Sequence, residues 1–146
     1  MIDINLIDLK HYELLNLIGF GSYSKVYKVR KKSTGNICAA KISLKTYKEN
    51  SVKNSSIAKE FNIISQFNHP AILKCYGLSF KNFQNDSNPV IITEFLLNGS
   101  LKGVLSSSMQ LKIDSYWNNT KKLINIYGIA SAMSFLHYQT ILSIEI

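Results

Sequence analysis

Tyr12–Gly19 reads as a strand running into a turn at Gly19-Phe20-Gly21-Ser22, and Tyr23–Arg30 alternates apolar with polar residues as a second strand. Lys31-Lys32-Ser33-Thr34-Gly35-Asn36 carries hairpin-turn chemistry, so Ile37–Leu44 returns as the third strand of an antiparallel meander. The period then changes. Past a polar stretch, Lys45–Asn54, with Asn54, Ser55 and Ser56 available as caps, Ile57, Phe61, Ile64 and Phe67 recur at helical spacing on one apolar face. Asn68-His69-Pro70 breaks that helix. Ile72–Phe80 predicts a fourth strand, Lys81–Asn88 a polar loop, and Val90–Phe95 a short, strongly apolar fifth strand. Asn98-Gly99-Ser100 marks a turn before a short helix, Leu101–Leu105; Ser106–Ser108 then leads toward a long helix from about Asn119 to Tyr138. Strands followed by helices predict an α+β fold.

One charge breaks the pattern. Glu60 lies three residues after Ile57 and four before Ile64, so it projects from the apolar face of the first helix. A carboxylate there is costly unless a cation meets it, which predicts a basic partner elsewhere in the chain.

Composition narrows the classes. With 146 residues, 46% hydrophobic and 18% charged, the chain can build a core and is neither disordered, collagen-like nor a coiled coil. Cys38 and Cys75 lie far apart and outside any C-x-x-C spacing, so no metal site and no disulfide framework is expected, and the expected compartment is the reducing cytoplasm. Acids rather than bases accompany the first residues, so no secretory signal is read. Leu123–Ile144 carries no charge and is long enough to span a bilayer, but Asn125, Ser131, Ser134, His137, Gln139, Thr140 and Ser143 interrupt it, favouring a buried core helix over a spanning one, with no membrane partner expected. The net charge is +8, and residues 1–50 hold 9 basic against 4 acidic groups. Without RNA-binding aromatics or zinc-finger spacing, a basic surface around a phosphate ligand explains this excess at least as well as a nucleic-acid partner.

Gly19-Phe20-Gly21-Ser22-Tyr23-Ser24-Lys25-Val26, between two strands, lets backbone amides approach a phosphate because glycine has no side chain in the way. This segment resembles the Gly-rich loop of protein kinases, with Ser24 in place of the third glycine. Ala39-Ala40-Lys41-Ile42 resembles the family's lysine strand, and Glu60 stands where its helix glutamate pairs with that lysine. His69-Pro70 resembles the turn after that helix. Ile91-Ile92-Thr93-Glu94-Phe95-Leu96 and Asn98-Gly99-Ser100-Leu101 are similar to the last N-lobe strand, gatekeeper, hinge and start of the next helix, and Ile129–His137 to the helix leading into the catalytic loop. The resemblance covers residues 12 to about 142.

The resemblance implies a kinase N-lobe over 12–95, after an N-terminal extension (1–11), then a hinge (96–100) and a partial C-lobe (101–146). It implies ATP as ligand. Ile18 and Val26 would cover the adenine, Ala39 would pack above it, and backbone amides from Phe20 through Gly21, Ser22 and Tyr23 to Ser24 would cradle the phosphates. Lys41 would bind the α- and β-phosphates, held by Glu60. Thr93 would be the gatekeeper, backbone groups of Glu94 and Leu96 would bind the adenine edge, and Ile64 and Cys75 would join the apolar spine.

In the family, Leu-His at the end of the long helix is followed by about five residues and then His-Arg-Asp; here Ser143-Ile144-Glu145 stand in that place. The catalytic Asp, the catalytic-loop Asn and the Asp-Phe-Gly metal ligand are absent from the sequence, so a truncated kinase domain without independent catalysis is expected, with Mg²⁺ arriving only with the nucleotide. The competing readings are a pseudokinase-like nucleotide-binding or interaction module and, least favoured, a basic nucleic-acid binder. The long helix is apolar around much of its circumference, so a protein partner covering it is also expected.

Overall fold

The pairing of five strands orders one antiparallel sheet as β1-β2-β3-β5-β4, from β1 (Tyr12–Phe20), β2 (Ser24–Lys31), β3 (Ile37–Ser43), β4 (Cys75–Ser79) and β5 (Val90–Glu94). The computed structural model describes residues 5–47, 56–111 and 117–144, with side chains at 56, 107–111 and 140–144 left aside. The helices are α1 (Ser56–Ser65), α2 (Leu101–Leu111) and α3 (Asn119–Ile144). The expected α+β class and five-stranded sheet are what the chain forms. Two compact units result: the sheet with α1, and a helical unit of His69–Ile72 and the residues from Leu96 on.

Register assigns each sheet residue to a face. Val26 opposes Lys41, Lys28 opposes Ala39, Lys41 opposes Ile91, and Thr93 opposes both Ala39 and Cys75. Residues directly opposite one another point the same way, so Val26, Ala39, Lys41, Ile91 and Thr93 share a face. Ile57, Ala58 and Phe61 of α1 pack on it, burying Leu78 and Ile91 with Ile64, Cys75 and Phe80 at the margin. The alternate residues (Val29, Cys38, Ala40, Val90 and Ile92) form a second cluster with Leu9 and Tyr12. Phe61 is 1% exposed, and burying such a ring contributes about 1.5–3 kcal/mol.

Several boundaries differ from the sequence reading. Helix α1 stops at Ser65, which leaves Phe67 outside it, and β4 is shorter than Ile72–Phe80. Helix α2 continues through Ser106–Ser108 to Leu111, because serine costs a helix only a fraction of a kcal/mol and residues 106–111 include neither Gly nor Pro. Helix α3 runs past Tyr138 to Ile144 for the same reason. Ser100 and Asn118 cap these helices, their side-chain oxygens accepting the amides of Gly103 (3.1 Å) and Lys121 (3.0 Å). The cap candidates Asn54 and Ser55, most of the 45–54 stretch and Glu145 lie outside the described residues. No helix among the described residues is long and apolar enough to cross a membrane.

The stretch before Tyr12 folds with the sheet. Leu6 bridges Leu78 in parallel, Ile7 N–H donates to Leu78 O (3.0 Å), and Leu78 N–H donates to Asn5 O (3.0 Å). A short 3-10 turn, Leu9–His11, capped by the Asp8 carboxylate, then carries the chain into β1. Gly77 permits this docking: a Cβ there would stand 2.3 Å from Ile7 Cγ2 and 2.9 Å from Asn5 O.

Candidate functional site

Strand β3 and helix α1 meet through two charges. Lys41 Nζ donates to Glu60 Oε1 at 2.6 Å and to Oε2 at 2.7 Å, a two-pronged bond. The side chains are 35% and 42% exposed, so the pair is half-buried, lining the same cavity as Ile57. In such a half-wet setting an ion pair adds at most about 1 kcal/mol to stability. The fold gains little from it.

The β1–β2 turn hangs over the same place. Gly21 N–H donates to Ser24 O (2.9 Å), closing a tight reversal; Ser24 begins β2 opposite Ser43, and Leu44 N–H donates to Tyr23 O (2.9 Å). Neither Gly19 nor Gly21 has a positive φ, and an added Cβ would meet nothing nearer than 3.5 Å at Gly19 or 3.8 Å at Gly21. Sterics within the fold therefore make no demand for glycine at either position, and the bare backbone is left open to close approach. Phe20 and Tyr23 at the tip are 71% and 74% exposed.

Turn, pair and helix enclose a cavity of about 470 Å3, lined by Gly21–Ser24, Lys41, Ser43, Lys45, Tyr47, Ile57 and Glu60. That size suits a small-molecule ligand. Two ammonium groups and a turn rich in backbone amides fit a polyphosphate. A magnesium ion fits less well: Glu60 is the one carboxylate in the lining and already holds Lys41, and the described residues contain no cluster of three or more His, Cys, Asp or Glu able to take a metal. Ser43, Lys45 and Tyr47 are additions to the sequence reading. Their signal was available, since 43 and 45 follow Lys41 at strand spacing.

The remaining predicted residues distribute as follows. Val26 and Ala39 share the face of Lys41; Ile18 sits at a register irregularity between Leu17 and Gly19 and is 43% exposed. Thr93 is 8% exposed on that face, its hydroxyl donating to Glu94 O (3.1 Å). The Glu94 N–H is spent on Lys74 O (3.0 Å) and its carboxylate on Lys74 N–H (2.7 Å), so toward a ligand this residue has its carbonyl to offer. Leu96 belongs to the helical unit, where its carbonyl accepts from Gly99 N–H (3.3 Å). Cys75 packs beside Ile64 at the margin of the α1 cluster; burial pushes its thiol up to about 11, the Gly77 backbone opposing and the Glu60 charge reinforcing.

Comparisons with known proteins identify the family. The profile described as "Protein kinase domain" matches residues 12–145. The Aurora kinase of Saccharomyces cerevisiae is 30% identical over 143 residues, 96% of this chain but 35% of the relative. Dual specificity testis-specific protein kinase 2 of Rattus norvegicus is 31% identical over 124 residues, covering 85% of this chain and 19% of its own length. Among solved structures, the C. elegans twitchin kinase fragment aligns with a TM-score of 0.51 at 25% identity, over 64% of this chain and 20% of that one. The chain thus spans about a third or less of these relatives, and within that span it belongs to the protein kinase family.

Proposed function

We propose that this chain is the ATP-binding part of a protein kinase domain, holding the triphosphate in the cavity between the glycine turn and α1. The observation that carries the reading is the Lys41–Glu60 pair, which is worth little to the fold yet stands beside a turn whose glycines the fold does not require. Lys41 Nζ carries the charge for the phosphates, Glu60 aims it, and amides of the Phe20–Ser24 turn other than the one Gly21 spends on Ser24 supply further donors. Lys45 adds a second cation at the cavity wall. Ile18, Val26 and Ala39 would contact the adenine, with Thr93, Glu94 O and Leu96 at its edge; residues 96–100 would be the hinge.

Transfer of the γ-phosphoryl group to a protein hydroxyl is the family's reaction, and it draws on a catalytic-loop Asp and metal-binding positions. The 146 residues contain neither His-Arg-Asp nor Asp-Phe-Gly. We therefore assign these 146 residues nucleotide binding and none of the groups that carry out transfer, with a pseudokinase-like binding module as the alternative reading. Free Cys38 and Cys75 suit a reducing, cytoplasmic setting. A protein surface over α3 belongs to the same reading, since Leu123, Ile124, Ile126 and Tyr127 are each more than 60% exposed.

The test is ATP binding by thermal shift and calorimetry, alongside transfer of labelled γ-phosphate to casein. Saturable ATP binding that Lys41→Met weakens, with no transfer, is the expected outcome. Absence of ATP binding at millimolar nucleotide sinks the reading, and robust transfer sinks its non-catalytic half.

A further inference from the structure

A second cleft, of about 900 Å3, opens between the N-terminal segment and the β4–β5 loop, and none of its lining residues belongs to α1, the glycine turn or the Lys41–Glu60 pair. Its apolar lining includes Ile7, Leu9, Tyr12, Phe80 and Phe83. Three exposed lysines, Lys10, Lys32 and Lys81, stand around it, and among the described residues none has a carboxylate partner. The one acid in the lining, Asp8, is occupied: its carboxylate accepts the Lys10 N–H at 2.9 Å to cap the 3-10 turn.

Both walls are built rather than loose. Asn82 organises the β4–β5 loop, its Oδ1 accepting the amides of Gln84 (2.9 Å) and Asp86 (3.0 Å) and its Nδ2 donating to Asp86 Oδ2 (3.2 Å). Phe83 from that loop packs on the core. The opposite wall is pinned by the Leu6–Leu78 bridge and the close approach over Gly77. A preformed cleft loses little entropy when it binds.

We propose that this cleft docks an acidic peptide segment of a partner protein, one that places an apolar side chain on the Leu9–Phe83 floor and carboxylates against Lys10, Lys32 and Lys81. Three unpaired ammonium groups around an apolar floor complement that chemistry in both charge and hydropathy. A concave, apolar floor accepts a protruding side chain, which a flat anionic bilayer does not offer. The inference is independent of the nucleotide reading.

The experiment is selection of a random dodecapeptide display library on the full chain, followed by fluorescence anisotropy of the enriched peptides. Enrichment of Asp and Glu around Leu, Phe or Ile is expected. Affinity should fall about tenfold in the Lys32→Glu/Lys81→Glu double variant, a loss of the size two rim charges supply. Leu6→Ser, which alters the cleft without touching the buried core, should weaken binding severalfold, while the ATP-dependent thermal shift stays as in the parent chain. The proposal is overturned by a library that yields no binder, by a basic or uncharged consensus, or by affinity indifferent to the charge reversals. It is equally overturned if the chain sediments with phosphatidylserine vesicles through these lysines while no acidic peptide competes.

Discussion

Lys41→Met separates a structural lysine from a ligand-binding one. Methionine keeps most of the apolar stem, so the change removes the ammonium and little packing. The ion pair lost is 35% and 42% exposed at its two side chains, which limits its worth to about 1 kcal/mol. For a chain of this size that lowers the melting temperature by about 3 °C. A charge-assisted bond from the ammonium to a phosphate is worth more, about 1.5–3 kcal/mol, or roughly 10- to 150-fold in ATP affinity. At ATP equal to 100 times the parent dissociation constant, binding stabilises the parent by about 2.7 kcal/mol, near 8 °C on the same scale. A variant weakened about 50-fold retains roughly 0.6 kcal/mol, about 2 °C. Scanning fluorimetry with and without ATP reads both effects at once. If Lys41→Met melts more than about 10 °C lower without ligand yet keeps the full ATP shift, the lysine is a structural strut and the reasoning fails.

Three further outcomes follow from single contacts. Gly77→Ala puts a Cβ 2.3 Å from Ile7 Cγ2, so the N-terminal segment must shift, at a cost of about 1–3 kcal/mol; hydrogen exchange at the Ile7 and Leu78 amides should speed up, and unchanged protection would contradict the close approach. The Cys75 thiol, raised from 9.0 to about 11, should alkylate about 100-fold more slowly than an unperturbed thiol near neutral pH, with a rate still climbing beyond pH 9; because the folded state holds that proton longer than the unfolded chain, its contribution to stability is full below about pH 9 and declines as pH rises toward 11. His69→Ala removes a ring whose Nδ1 accepts the Ala71 N–H (3.1 Å), whose Nε2 lies 3.2 Å from Ser131 Oγ, and which stacks on Phe135 at 5.1 Å; the helical unit should lose about 1–2 kcal/mol, seen as faster exchange at Ala71, and a neutral result would mean that the loop is held by its backbone alone.

What the sequence disclosed, and what it withheld, follows from the range of the forces involved. Strand alternation and the turn chemistry of Lys31–Asn36 are local, and the register of β2 with β3 follows them without a break, while β1 departs from it at two irregularities on either side of Leu17. Helix ends depend on small differences in propensity, which is why α2 and α3 overran their expected limits. The docking of Asn5–Leu9 on β4 joins segments some seventy residues apart, and any apolar pair would have served as well as Leu6-Ile7; nothing in the period of either segment names the other. Charge is different, because a carboxylate among apolar neighbours asks for one kind of partner. That argument called for a cation, which the family resemblance named as Lys41, but its magnitude was too large: Ile57 and Phe61 are only 4% and 1% exposed while the Glu60 side chain stays 42% exposed, so water already relieves much of the penalty. The pair therefore does not exist chiefly to cancel burial costs. On the proposed nucleotide reading, an interaction that the fold needs so little, made two-pronged and set beside glycines that sterics do not require, is accounted for by what it would hold ready for a ligand rather than by the stability it returns to the sheet.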